Sequence, residues 1–316
     1  MRGSIDPGEK NNIIVVYDDI LFSAPPGPDG AARPLLLSVM MESGWRDAKR
    51  VYRPEDPEED VSRKPCILWF PGGGWTHVER NFMYGEMAFL ARAGYVVVSV
   101  SYRTSAQAHL PGQLEDAASA LRFLGEHAGE YRIDRSRIGV MGRSAGAYFA
   151  VWLGLNEMLP GTGEMPGRDG LPAVRACCDL FGPVDLERLI DYELSPNAFP
   201  KSRVSRPKDS HAGKLLGLNG SEPPEEIRRM AREMSPLHHI TDRMCPLLIL
   251  HGDNDPVVPA EISGGRLYDA VRAAGLENRA DYLTVRHGGH GSREFFQEET
   301  RERILDFFGR TLGCEV

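Results

Sequence analysis

Ile138-Gly139-Val140-Met141-Gly142-Arg143-Ser144-Ala145-Gly146-Ala147-Tyr148-Phe149-Ala150 is the stretch whose reading decides the fold. An apolar, β-type run from Ile138 to Met141 arrives at a glycine. A serine, a small residue and a second glycine follow, and then a stretch compatible with a helix. This is a G-x-S-x-G pattern in strand–turn–helix context, which places the serine on a very sharp turn. Gly142 and Gly146 have no Cβ, so strand and helix can approach closely while Ser144 holds a strained backbone. The hydroxyl then projects above the end of a sheet. The plain alternative is a glycine-containing turn with an incidental serine, and the surrounding chain decides between the two.

Upstream, Cys66–Phe70 (CILWF) is a continuous apolar run of the kind buried on both faces of a parallel sheet. A helix is expected near Gly85–Ala93 and a strand over Tyr95–Val100. After Pro111, Leu114, Ala117, Leu121 and Leu124 recur at helical spacing. Downstream, Val174–Phe181, Leu247–Leu250 and Tyr282–Val285 read as strands, and Glu261–Ala274 and Glu294–Leu312 as helices. Near the start, Ile13–Tyr17 and Leu35–Met41 flank the turn-rich Ala24–Gly30 like a hairpin, and residues 53–65 read as a solvated loop. Strands alternating with helices imply an α/β class, a mostly parallel central sheet with helices on both faces.

Residues 1–34 are expected to form a tail and first strand, and 35–316 the α/β domain. Within it, about 186–242 breaks the rhythm as a small cap-like insertion, too long for a simple connection. It is expected to run over the sheet edge, with Pro223–Met234 helical and Ser221 its N-cap.

With 41% hydrophobic and 26% charged residues among 316, the chain can bury a sizeable core. A net charge of −8 argues against a general nucleic-acid binder. No apolar run approaches the roughly 20 residues that a membrane span needs. The start, MRGSIDPGEKNN, has no signal-peptide core. The five cysteines (Cys66, Cys177, Cys178, Cys245, Cys314) are odd in number and show no C-x-x-C spacing. Buried thiols in a reducing, cytoplasmic setting are expected. The sequence is compatible with a homo-oligomer and does not fix its size.

A serine hydroxyl needs a base, an orienter for that base, and donors for a developing oxyanion. Pro71-Gly72-Gly73-Gly74-Trp75, after CILWF, offers the free N–H groups of Gly73 and Gly74 beside that of Ala145; a flexible turn is the alternative. After Leu247–Leu250, His251-Gly252-Asp253-Asn254-Asp255-Pro256 holds two candidate carboxylates: Asp253 nearer the strand end, Asp255 deeper in the loop. His287 and His290 compete in the same way in Arg286-His287-Gly288-Gly289-His290-Gly291. A metal reading of these histidines lacks third and fourth ligands of suitable spacing.

GRSAG, PGGGW, HGDNDPVVP and HGGHG together resemble the α/β-hydrolase superfamily. More narrowly, the chain resembles hormone-sensitive-lipase-like and bacterial feruloyl-esterase-like carboxylesterases. Ser101-Tyr102-Arg103, the run from His109 to Ala117 and Ser235-Pro236-Leu237 add to the resemblance, which covers roughly Leu35 onward. It implies the α/β-hydrolase fold and a cofactor-free ester hydrolase with Ser144 as nucleophile, His290 as base and Asp255 rather than Asp253 as acid. The implied reaction is hydrolysis of small acyl or aromatic esters, with amide cleavage on the same scaffold, or a non-catalytic binding role, as alternatives. The implied partner is a small-molecule ester, with no nucleic acid and no membrane. One departure is Pro71, where these families usually place the histidine that tethers the oxyanion loop. Arg143 is expected to be held by a surface carboxylate. Trp75 and Tyr148 either wall the acyl pocket or face the core.

Overall fold

The structure, a computed structural model, describes residues 4, 13–43, 62–199 and 204–313. Most of the charged 53–65 stretch, and Cys314, lie outside the described residues. The strands are β1 (Ile13–Ser23), β2 (Leu35–Ser43), β3 (Lys64–Phe70), β4 (Val96–Val100), β5 (Ile133–Arg143), β6 (Ala176–Leu180), β7 (Leu247–Gly252) and β8 (Ala280–Val285). They form one sheet in the order β1-β2-β4-β3-β5-β6-β7-β8. β1–β2 and β2–β4 pair antiparallel and every later pair is parallel.

The helices are α1 (Tyr84–Arg92), α2 (Gly112–Glu126), α3 (Ala145–Gly154), α4 (Leu186–Glu193), α5 (His211–Leu216), α6 (Pro224–Glu233), α7 (Gly264–Ala273) and α8 (Glu298–Leu312). Because successive strand side chains point to opposite faces, CILWF divides its residues between two cores. Cys66, Leu68 and Phe70 join Leu114 and Leu121 of α2, Phe149 and Trp152 of α3, and Leu267 of α7. Ile67 and Trp69 join Leu90 of α1 and Phe307 and Phe308 of α8 on the other face. Covered on both sides, β3 has no use for polar residues, which is why it reads as an unbroken apolar run. Every residue of α3 is buried, so this helix needs no polar face.

Helix ends differ in detail from the sequence expectation. Ala260–Ile262 and Arg293–Phe296 are separate 3-10 turns ahead of α7 and α8. α6 is preceded by Pro223 as its N-cap; the Ser221 hydroxyl instead donates to Asn219 Oδ1 at 2.6 Å, bracing a turn.

α4, α5 and α6 all fall between β6 and β7, which are hydrogen-bonded neighbours inside the sheet. The segment therefore leaves from within the sheet rather than passing over its edge. It is fastened to the rest of the chain by Leu110 N–H to Leu215 O (3.0 Å), Tyr148 OH to Met234 O (2.7 Å) and Tyr192 OH to Pro256 O (2.5 Å).

Candidate active site

The turn between β5 and α3 explains both of its glycines. A Cβ on Gly142 would stand 2.6 Å from the Gly146 carbonyl and the Ala147 nitrogen, and one on Gly146 would stand 2.2 Å from Phe70 O. No other residue permits so close a crossing. Ser144 sits at φ 50°, ψ −128°, a conformation that costs a non-glycine residue on the order of 1–3 kcal/mol. Its own N–H donates to Leu180 O at 2.9 Å, which helps to hold the strain.

Loops after β7 and β8 bring a carboxylate and an imidazole to this serine. Ser144 Oγ lies 2.8 Å from His290 Nε2, and His290 Nδ1 lies 2.8 Å from Asp255 Oδ2. The other oxygen of Asp255 accepts the N–H groups of Val257 (2.9 Å) and Val258 (3.0 Å), which fixes the carboxylate plane. With Asp255 accepting at Nδ1, the neutral ring presents a lone pair at Nε2, and the serine hydroxyl donates to it. His290 also packs edge-on against Phe181, centroids 4.9 Å apart. Burial alone would raise the Asp255 carboxyl. Interactions with His251 and His290, and the Val258 N–H, outweigh it and hold the group below the usual carboxylate range. The rival pair is used locally: Asp253 Oδ1 accepts His287 N–H at 2.6 Å, bracing the exposed turn.

Behind Asp255 stand two buried groups that the sequence reading did not single out. His251, at the end of β7, donates from Nε2 to Val258 O at 2.7 Å, and that nitrogen is 3.6 Å from Asp255 Oδ2. At that separation its influence on Asp255 is through space rather than a hydrogen bond. Asp179 of β6 accepts the Gly182 N–H at 2.7 Å, and its second oxygen is buried without a partner. Burial pushes its carboxyl up to about 7.

Gly72 lies over Ser144, its Cβ position 3.2 Å from Ser144 Cβ. Among the described residues, the N–H groups of Gly73 and Gly74 donate to no protein acceptor. Ala145 opens α3, where an N–H has no carbonyl one turn earlier to meet. The loop is tethered without the usual histidine. Tyr102 OH donates to Pro71 O at 2.8 Å, Ser105 N–H to Trp75 O at 2.7 Å, and Trp75 Nε1 to Ala145 O at 3.0 Å. The S-Y-R stretch was the available signal for the first of these. Trp75 and Tyr148 are 1% and 0% exposed and pack edge to face, centroids 5.6 Å apart. They form the back of the loop and do not wall a pocket, because the loop's own backbone turns toward the serine and sends the large rings to the core. In front of the loop, the His211 ring of α5 occupies the place a side chain at position 74 would fill, 2.8 Å from that Cβ position. Glu193 holds His211 through both Nδ1 and the backbone N–H.

Arg143 is placed differently from the sequence expectation. It forms no ion pair among the described residues; Nη1 reaches only Met83 Sδ at 3.2 Å, and Nε is buried without an acceptor. No surface carboxylate is near because the side chain turns inward along the oxyanion loop. Among the described residues, no group of three or more His, Cys, Asp or Glu could hold a metal ion. None of their helices is long and apolar enough to cross a membrane.

A model of the BD-FAE family matches residues 51–268, more than half of the chain. The chain belongs to the BD-FAE family. Similar proteins include the esterase LipC of Mycobacterium tuberculosis, 26% identical over 298 residues, covering 88% of this chain and 67% of LipC. Esterase LipQ of the same organism is 25% identical, covering 79% of this chain and 56% of LipQ. The chain thus spans a little over half to two thirds of these relatives. A truncated carbohydrate esterase from gut microbiota superposes with a TM-score of 0.72 at 23% identity, covering 97% of this chain and 99% of that one. The sheet order and this superposition give the chain the α/β-hydrolase fold, and the curated relatives it matches are named esterases.

Proposed function

We propose that the protein hydrolyses esters of small acyl groups, aromatic esters among them, through an acyl-enzyme on Ser144. The observation that carries this reading is the Ser144–His290–Asp255 chain, two contacts of 2.8 Å, beneath unengaged N–H groups of Gly73 and Gly74. Ser144 Oγ attacks the acyl carbon as His290 Nε2 takes its proton, and Asp255 stabilises the imidazolium. The N–H groups of Gly73, Gly74 and Ala145 receive the oxyanion, each such donor contributing on the order of 3 kcal/mol to the transition state. Collapse expels the alcohol, which takes the proton from His290; water then repeats the sequence and frees the acid. No cofactor enters any step.

The His211 ring against Gly74 supports a small acyl group, because α5 closes over the oxyanion loop. The segment 186–242 thereby acts as the cap. Four buried cysteines without disulfides support a reducing, cytoplasmic setting. The test is kcat/KM along p-nitrophenyl esters from acetate to palmitate, with p-nitroacetanilide as the amide control. A maximum at short chains and little amide turnover are expected; a maximum at palmitate overturns the reading.

A further inference from the structure

Arg143 is a partly buried guanidinium with no counter-ion among the described residues, one residue from the nucleophile. Taking such a group out of water without a partner costs several kcal/mol, so its retention calls for a reason. Its neighbours include two loops of the site. Nη1 touches Met83 Sδ at 3.2 Å, Cγ is 3.5 Å from the Cβ position of Gly72, and Nη2 is 3.0 Å from that of Gly291. Gly291 follows His290 directly, and any side chain there would push against Nη2. The guanidinium therefore lies on the His290 side of Ser144, the side from which the leaving alcohol takes its proton. Tyr102, the nearby phenol, is neutral and engaged with Pro71, so among the described residues no anion competes for the charge. Nε is the only guanidinium nitrogen that is both enclosed and unpartnered, which leaves Nη2 as the donor open to a ligand.

We propose that Arg143 binds a carboxylate on the alcohol portion of the ester, making the preferred substrates acyl esters of hydroxy acids. This rests on the ester-hydrolase reading above. Guanidinium and carboxylate match in shape and charge, and the pair strengthens where water is scarce. The chain's net charge of −8 gives no general attraction for anions, so selectivity of this kind would have to be local.

The experiment measures kcat/KM for O-acetylated glycolate, hydroxypropanoate and hydroxybutanoate, each against its neutral carboxamide. Wild type is expected to favour at least one anion over its amide by on the order of tenfold or more. Arg143→Gln is expected to remove that preference, mainly through KM, and Arg143→Lys to restore part of it. Labelling of Ser144 by a neutral fluorophosphonate establishes that each variant is folded. If wild type is labelled and hydrolyses the amides as well as every anion, the inference is overturned and the esterase reading stands. The same holds if Arg143→Gln keeps the preference. If wild type is neither labelled nor active on any ester, both fall.

Discussion

Trp75 and Ala145 are joined by a 3.0 Å hydrogen bond from the indole Nε1 to the Ala145 carbonyl. One follows Gly73 and Gly74, and the other follows Ser144. The bond therefore fixes the two halves of the proposed anion site relative to each other from behind. Trp75→Phe keeps most of the buried ring and removes only this donor. A several-fold fall in kcat is expected, with an unchanged chain-length profile, since the ring does not face substrate. Stability should drop by about 1 kcal/mol, the usual net contribution of one hydrogen bond, since the Ala145 carbonyl keeps its helical partner. A shifted chain-length optimum would place Trp75 in the pocket instead.

Tyr102→Phe tests the tether that replaces the missing histidine. Its hydroxyl donates to Pro71 O at 2.8 Å, and losing it frees the start of the loop. Slower fluorophosphonate labelling and a lower kcat are expected, with an unaltered KM for acetate esters. Unchanged labelling would show that the other tethers suffice.

The two aspartates of the β7 loop separate by function. Asp255→Asn should lower kcat on the order of ten-thousand-fold through the wrong imidazole tautomer. Asp253→Ala should cost about 1 kcal/mol of stability and leave kcat within a few-fold, because Asp253 meets only a backbone N–H of the turn. Ser144→Ala should fold normally and lose nearly all turnover. Thermal melts and steady-state rates for the three variants decide the assignment.

Asp179 makes stability depend on pH. Its carboxyl is raised by burial from 3.8 to about 7 in the folded chain. The folded state holds a proton that the unfolded chain releases. Its contribution to stability is therefore fully present below the unfolded value and is lost as pH rises through the folded one. Asp179→Asn removes the titration. The Tm of this variant should gain on that of wild type between pH 5 and pH 8. A constant difference over that range would rule the assignment out.

Much of this was legible in the sequence because parallel strands and sharp turns leave strong marks. CILWF had to be apolar throughout to serve two cores, and Gly142 and Gly146 had to lack Cβ for β5 and α3 to cross. What was not legible depended on direction. Spacing placed Trp75 and Tyr148 next to the site but not on which side of the loop. Asp179 sits within Val174–Phe181, where a charge in a mostly apolar run reads as an interruption rather than a buried acid beside His251. Nothing local marks Arg143 as unpaired, since that depends on which carboxylates fold away from it.

The His211 ring lies where position 74 has no side chain, so the insertion and the oxyanion loop are complementary surfaces cut to one another. Such a fit couples their inheritance. An insertion taken from a relative would bring a different α5 against this glycine, leaving a gap or a collision at position 74. Conversely, any side chain at 74 would have to displace the ring that Glu193 holds in place. Chimeras in this family should therefore exchange the segment between β6 and β7 together with Pro71–Trp75, as a single heritable block.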